Sequence, residues 1–299
     1  MLNAAALASL VGSIVVLVLF ATDSRELLGV SVWEKPLKFL ISATFYATTF
    51  SWLYTFVEKG KGLASKMGNV IALMLIVELV VIVGMASVGS TSHFNVSTPF
   101  NIAIWSLMAT AISIVWLATF SLSTGLWNSQ IMSADLRLAV RWSIGLGLAG
   151  MGIAFTMTPP QPQQVLPENW AGIAGAHTVG AEDGGPGLPF LGWSTQAGDL
   201  RISHFLGLHA LQVLPLIAVV SSILVTNYFV RRAIIMGAGV AYALLIAFTY
   251  VQALLGETIV QPSTLIFLGI ILIVGMLSTG FSLFRSRKDE TLKTRARVS

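Results

Sequence analysis

The sequence predicts an all-α, polytopic integral membrane protein, a bundle of eight transmembrane helices. Of its 299 residues, 55% are hydrophobic and only 10% are charged, a balance that the surface of a soluble domain does not tolerate. Eight apolar runs, each about as long as the ~20 residues that span a bilayer, follow one another along the chain. Lys and Arg are also distributed unequally between alternate loops, as they are in membrane proteins.

The eight runs cover residues 3–22, 36–57, 67–87, 101–123, 138–158, 204–226, 233–255 and 263–284. The first run lacks a basic segment before it and is too long for the apolar core of a signal peptide, so we expect a retained helix. Residues 1–284 would form one transmembrane domain. A basic cytoplasmic tail at 285–299 would follow it.

The basic residues predict the orientation. Thirteen of the 17 Lys and Arg residues lie in the tail and in the loops on one side, and four lie on the other: Arg25, Lys35, Lys38 and Arg201. Basic loops stay in the cytoplasm, so both termini should be cytoplasmic. Because topology explains the positive charge, we expect no nucleic-acid partner. The absence of cysteine excludes disulfides and thiolate metal sites.

Lys38 is the informative residue of the second run, because a charge one turn inside a span must snorkel or bind a partner. Glu34, four residues earlier, is the local candidate for that partner.

The third run holds Glu78 near its middle. A carboxyl at that depth indicates a functional site or proton relay, or else a protonated structural side chain with a hydrogen-bonding partner.

The fifth run carries small residues at Ser143, Gly145, Gly147, Ala149, Gly150 and Gly152. Small residues let membrane helices approach closely, so this helix should be the packing spine of the bundle.

The connection that follows, 159–203, interleaves glycines with Trp170, Phe190 and Trp193. This mixture favours a folded extracytoplasmic cap over a solvated linker.

The sixth run begins with a dense group of polar residues that includes two of the four histidines: Asp199, Arg201, His204, His209 and Gln212. His209 and Gln212 share a helix face, whereas His204 and His209 are about 140° apart. One helix therefore cannot present both imidazoles to one small ion without help from loop residues. His93 and Asn95, after the third run, should lie at the same depth as this head.

One further feature relates the second half of the chain to the first. Gly256-Glu257-Thr258 ends the seventh run with the Gly-x-Thr pattern of Gly89-Ser90-Thr91, four helices earlier. A 4+4 duplication is therefore a hypothesis.

The phrases WEKPLKF, SHFN and GDLR followed by HFLGLHALQ resemble a group of uncharacterised multi-pass bacterial membrane proteins in which they recur. The resemblance implies a bacterial inner (cytoplasmic) membrane setting and supports the choice of motifs. It implies no reaction.

Three hypotheses for function follow. The first is a metal- or haem-binding protein, redox or hydrolytic, acting on quinone, lipid or another apolar molecule. The second is a proton-coupled small-solute transporter or channel that uses Glu78. The third is an accessory subunit. Each hypothesis is compatible with a protein partner or a homo-oligomer.

The candidate metal ligands are His93, His204, His209 and His177. The candidate catalytic residues are Glu78, Asp199, Arg201 and Glu257. The candidate cofactor contacts are Gln212, Asn95 and Lys38.

Overall fold

A computed structural model describes residues 1–166, 168 and 170–298, with side chains up to Phe284. The predicted basic tail at 285–299 therefore lies outside the described side chains. The described residues are mainly helical. Its eight α-helices are α1 (Leu2–Thr22), α2 (Glu34–Tyr54), α3 (Lys61–Ser87), α4 (Pro99–Thr124), α5 (Ala134–Ile153), α6 (Leu200–Leu224), α7 (Tyr228–Leu254) and α8 (Pro262–Val298).

Seven of these helices are long and apolar enough to cross a membrane, which makes the chain a multi-pass membrane protein. The exception is α2, which carries Lys38 in its second turn and several Ser, Thr and Tyr residues further on. It packs against α1, α3 and α6, so much of its surface is covered by protein. The count of eight spans remains a prediction that depends on α2.

The helices of the two halves of the chain have matching neighbours. In the first half α1 packs against α2 and α3, α2 against α3, and α3 against α4. In the second half α5 packs against α6 and α7, α6 against α7, and α7 against α8. The halves meet where α2 contacts α6 and α4 contacts α5. This correspondence supports the hypothesis of a 4+4 duplication, with α2 and α6 as equivalent helices.

The two Gly-x-Thr endings also fold alike. Gly89 and Gly256 have positive φ angles of 69° and 74°. After each glycine the next N–H donates back into the preceding helix, from Ser90 to the Met85 carbonyl at 2.9 Å and from Glu257 to the Gln252 carbonyl at 3.0 Å. Glycine adopts this left-handed conformation without steric cost, so it terminates both helices in the same way.

The packing spine predicted for the fifth run is a close contact between α5 and α6. A Cβ placed on Gly207 would lie 2.4 Å from the Gly150 Cα, and one on Gly147 would lie 2.9 Å from Leu211 Cγ. Gly145 and Gly152, by contrast, face open space. Two of the predicted small residues, Gly147 and Gly150, therefore make the contact that lets the helices approach.

The segment between α5 and α6, residues 154–199, is folded and contacts the helix heads. It contains two 3-10 helices, Ala154–Met157 and Pro162–Val165, and the strand pair β3 (Thr178–Val179) and β4 (Gly198–Asp199). A second short hairpin, β1 (Glu26–Leu27) with β2 (Val30–Ser31), joins α1 to α2. Gly198 lies against the Ala253 backbone of α7, which ties the segment to the end of that helix.

The close contact of α5 with α6 gives a direct test of the packing. Gly207→Ala should destabilise the protein by about 1–3 kcal/mol, because the new methyl group meets backbone atoms that cannot move aside. The matched control is Gly152→Ala, where the methyl group meets nothing within 4 Å. Thermal unfolding in detergent measures both. Equal melting temperatures for the two variants would contradict this packing.

Candidate functional site

Polar side chains form two clusters at the heads of α2 and α6, beneath the 154–199 segment. The ion-pair cluster consists of Glu34 and Lys38 on α2 with Asp199 and Arg201 at the start of α6. The histidine cluster consists of His177 and Asp183 from the 154–199 segment, Lys35 on α2, and His93 and Phe94 after α3. These clusters place many of the predicted residues at one end of the bundle.

Asp199 is the most fully bonded residue of the ion-pair cluster. Its side chain is buried and accepts hydrogen bonds from the backbone N–H of Ser194 at 2.8 Å and of Arg201 at 3.0 Å. The Arg201 guanidinium also donates to both carboxylate oxygens, with the shortest contact at 2.6 Å. Asp199 thereby caps α6, which begins at Leu200, before the predicted residue 204.

The backbone of residues 191–192 joins the two ion pairs. Arg201 Nη2 donates to the Gly192 carbonyl at 2.5 Å, and Lys38 Nζ donates to the Leu191 carbonyl at 3.1 Å. Lys38 also binds Glu34 at 2.7 Å, the partner that the sequence predicted. Gly192 has a φ of 67° and lies directly above the cluster, where a side chain would crowd Glu34 and Lys38. The loop therefore covers the charges with backbone.

His177 and Asp183 form the outer part of the histidine cluster. His177 Nδ1 lies 2.7 Å from Asp183 Oδ2, and Asp183 also accepts from the backbone N–H groups of His177 and Thr178. Burial lowers the pKa of His177, and the hydrogen bond to Asp183 offsets this only in part. Burial raises the pKa of Asp183, but the bonds from His177 and Thr178 outweigh it and hold the pKa below its usual value.

His93 forms the inner part with Lys35. Lys35 Nζ lies 3.1 Å from His93 Nδ1, and the Ser92 hydroxyl lies 3.0 Å from the same nitrogen. Burial lowers the pKa of His93 well below its usual value, and positive charge at Lys35 and His177 adds to the effect. The imidazole is therefore neutral, with Nδ1 accepting from the ammonium of Lys35.

Phe94 separates the two histidines. Its ring centroid lies 4.9 Å from that of His177, 6.2 Å from that of His93 and 5.2 Å from that of Trp105. The residue is buried and has a φ of 62°, which is unusual for an aromatic residue. Gly175 packs directly on this ring, where a Cβ would lie 2.6 Å from Phe94 Cδ1. The surrounding structure thus holds Phe94 between the two halves of the cluster.

Glu78 lies deeper, in the middle of α3, and is 7% exposed. Its Oε1 is buried without a hydrogen-bond partner among the described residues. The expected burial is thus observed, but the hydrogen-bonding partner predicted for this oxygen is not. Glu78 belongs to the helix whose end leads into His93 of the histidine cluster.

The other predicted residues have local roles. Asn95 accepts from the Ser97 N–H and hydroxyl, His204 Nδ1 donates to the Gly150 carbonyl at 2.7 Å, and His209 packs on Phe205 at 4.2 Å. Gln212 Nε2 donates to the Thr49 hydroxyl of α2 at 3.0 Å, and the Gln212 side chain also lies beside His209. Glu257 is exposed and accepts from Gln261.

The described residues contain no group of three or more His, Asp or Glu side chains that could hold a metal ion. His93 binds Lys35, His177 binds Asp183, and His204 donates to a backbone carbonyl. The predicted ligands therefore have separate partners. The prediction of a metal or haem has no support in this arrangement.

Two ionisable residues of the histidine cluster were not among the predicted site residues. Lys35 belongs to the WEKPLKF phrase, where Lys38 drew attention because it lies deeper in the helix. Asp183 follows Glu182 in a glycine-rich stretch that gives no sign of which carboxylate turns inward. His177 and Asp183 are close enough in sequence for a contact between them to be a hypothesis. Neither the helix period nor the strand period predicts that contact.

Comparison of the chain with protein-family models, with curated proteins and with solved structures found no match.

The neutral state of His93 gives a pH prediction. Its pKa is lowered in the folded protein, so protons bind preferentially to the unfolded chain as the pH falls below about 6.5. The free energy of unfolding should therefore decrease as the pH falls, by up to about 1.4 kcal/mol per pH unit for this group. His93→Gln should make the decline in melting temperature between pH 7.5 and 5.5, both about one unit from the ordinary histidine pKa, less steep.

The control for this experiment is Glu257→Gln, which alters an exposed side chain outside both clusters. It should retain the pH dependence of the unaltered protein. An unchanged slope in His93→Gln would show that His93 does not stay neutral in the folded state.

Proposed function

We propose that the chain is a proton-coupled transporter of a small solute, in which Glu78 binds and releases the coupling proton. It would lie in the bacterial inner membrane with both termini cytoplasmic and the histidine cluster outside. The observation that carries the proposal is the buried Glu78 carboxyl, whose Oε1 has no partner among the described residues.

The physical argument concerns the cost of a charge in apolar surroundings. An ionised carboxylate in the membrane interior is expensive unless it is paired, whereas the neutral acid is tolerated. A structural glutamate would recover this cost through hydrogen bonds, and Oε1 has none. A carboxyl that exchanges its proton needs both states to be accessible, which a saturated hydrogen-bond network would prevent.

The histidine cluster supplies the second support, because His93 follows the end of α3, the helix that carries Glu78. Asp183 and His177 are in contact, His177 packs on Phe94, and His93 contacts Lys35. Imidazole can accept and donate a proton at its two nitrogens, so these residues are suited to carry protons towards the buried carboxyl.

The repeated packing of the two halves is the third support. In transporters built from internal repeats, substrate and ion sites lie at the interface between the repeats. Here α2 and α6 meet at that interface, where the loop at 191–192 bridges Lys38 and Arg201 and where Gln212 donates to Thr49. The Gln212 side chain would offer a polar group to a solute at this interface.

The proposal is tested by proton entry into proteoliposomes that contain a trapped pH-sensitive dye. With a potential imposed by potassium and valinomycin, the unaltered protein should accelerate proton entry over protein-free liposomes. Glu78→Gln should lower the rate by at least about 100-fold, the low end of the effect of losing a proton-transferring group. Because glutamine has the shape of the neutral acid, it should preserve the fold.

Glu257→Gln serves as the matched control, since it removes an exposed carboxylate and should leave proton entry unchanged. Entry at the same rate in Glu78→Gln and in the unaltered protein would refute the role of Glu78. Entry no faster than in protein-free liposomes would refute the proposal as a whole.

A further inference from the structure

A second unusual site lies at the end of the bundle remote from both clusters, where residues 125–133 connect α4 to α5. Arg137 and Arg141 are one turn apart on α5 and therefore point to the same side of the helix. Arg137 Nη1 donates to the Ser129 carbonyl at 2.7 Å. Arg141 donates from Nε to the Trp127 carbonyl at 2.8 Å and from Nη2 to Asn128 Oδ1 at 3.0 Å.

The acceptors of both arginines are neutral, so the two positive charges are not compensated. Within the described side chains, no carboxylate lies within 4.0 Å of either guanidinium. The nearest carboxylates along the connection have other partners. Glu58 accepts from the backbone N–H groups of Gln130 and Ile131, and Asp135 pairs with Arg231 at 2.6 Å.

An apolar groove of about 290 Å³ includes Arg141 in its lining. It extends along α5 for about 12 Å, the rise over the eight residues from 138 to 146, and its lining is Trp127, Leu138, Arg141, Trp142, Gly145 and Leu146. Gly145 leaves its floor open, since nothing lies within 4 Å of where a side chain would start. One wall is held in place, because the Trp142 ring packs against Gly239 of α7.

The opposite wall is positioned by Arg141 itself. Its guanidinium lies 5.6 Å from the centre of the Trp127 ring, a cation–π contact, while the indole remains 45% exposed. Tryptophan and arginine at the end of a membrane helix are typical of the level of the lipid headgroups. The groove therefore combines a cation at headgroup level with an apolar lining along α5.

A second groove at this end of the bundle shows that the cation is a particular feature of the first. It lies between α6 and α7 and is lined by Leu216, Ile217, Val220, Ser221, Leu224, Val225 and Ile234. This lining contains no charged side chain. Arg231 lies nearby on α7, but Asp135 neutralises it. Of these two grooves, only the one at Arg141 combines an uncompensated charge with an apolar lining.

We propose that the groove at Arg141 binds an anionic phospholipid of the surrounding bilayer, with an acyl chain along Trp127, Trp142 and Gly145 and the phosphate at the Arg141 and Arg137 guanidinium groups. Each guanidinium has five N–H donors, and the described bonds leave several free for phosphate oxygens. The inference does not depend on the transport function or on Glu78.

The test uses tryptophan fluorescence in nanodiscs of phosphatidylcholine that contain a small fraction of lipid with brominated acyl chains. Bromine quenches only nearby indoles, and Trp127 and Trp142 line the groove. Brominated phosphatidylglycerol should quench with at least about fivefold higher apparent affinity than brominated phosphatidylcholine, since each basic residue that contacts the lipid contributes about 1 kcal/mol. Arg141→Gln should abolish this preference.

Two variants make the result specific. Arg232→Gln removes another basic residue at this end, one that contacts Tyr228 and does not line the groove, and it should keep the preference. Trp127→Phe should reduce the selective quenching and leave the part that comes from Trp142, which locates the lipid even if Arg141→Gln does not fold. Equal quenching by both lipids, selective quenching that is undiminished in Trp127→Phe, or shielding of the groove from both lipids in a dimer would overturn the proposal.

Discussion

The arrangement at the predicted outer end depends on the ion pair between Asp199 and Arg201. The buried carboxylate caps α6 and binds the backbone of Ser194, while the guanidinium binds the carbonyl of Gly192. One pair thus fixes residues 192–194 of the loop that covers Glu34 and Lys38. A buried pair of this kind contributes little net stability when intact, but removing one partner leaves an uncompensated charge that costs several kcal/mol. Its effect is to hold the 154–199 segment in a single position over α2 and α6.

That position brings together residues that are far apart in sequence. The backbone of His177 accepts from the Leu200 N–H at 3.0 Å, so the start of α6 also places His177 and Asp183. His177 then packs on Phe94, and His93 contacts Lys35 of α2. At the other end of the bundle, neutral backbone carbonyls bind Arg137 and Arg141 and leave their charge available. Backbone groups therefore organise the ionisable side chains at both ends, and they do so without neutralising every charge.

Hydropathy predicted the helices because the bilayer imposes a length and an apolar composition that sequence displays directly. The glycines of α5 were predictable for the same reason, since small residues leave few alternatives to close packing. The pairing of Glu34 with Lys38 followed from helix geometry, as a local contact does. The histidines were predicted less well. Their partners depend on helix rotation and on the path of a long loop, and neither has a period in the sequence. His204 binds the Gly150 carbonyl because α5 and α6 approach so closely, which is a consequence of packing alone.

The central claim is that Glu78 holds a proton that it can exchange. Infrared spectroscopy of the reconstituted protein measures this most directly, because a protonated carboxylic acid has a carbonyl stretch that a carboxylate and an amide lack. The account predicts a band that disappears and returns reversibly as the pH of the medium is raised and lowered, and that is absent in Glu78→Gln. A spectrum in which the pH-dependent carbonyl bands of the unaltered protein and of Glu78→Gln are the same would contradict it.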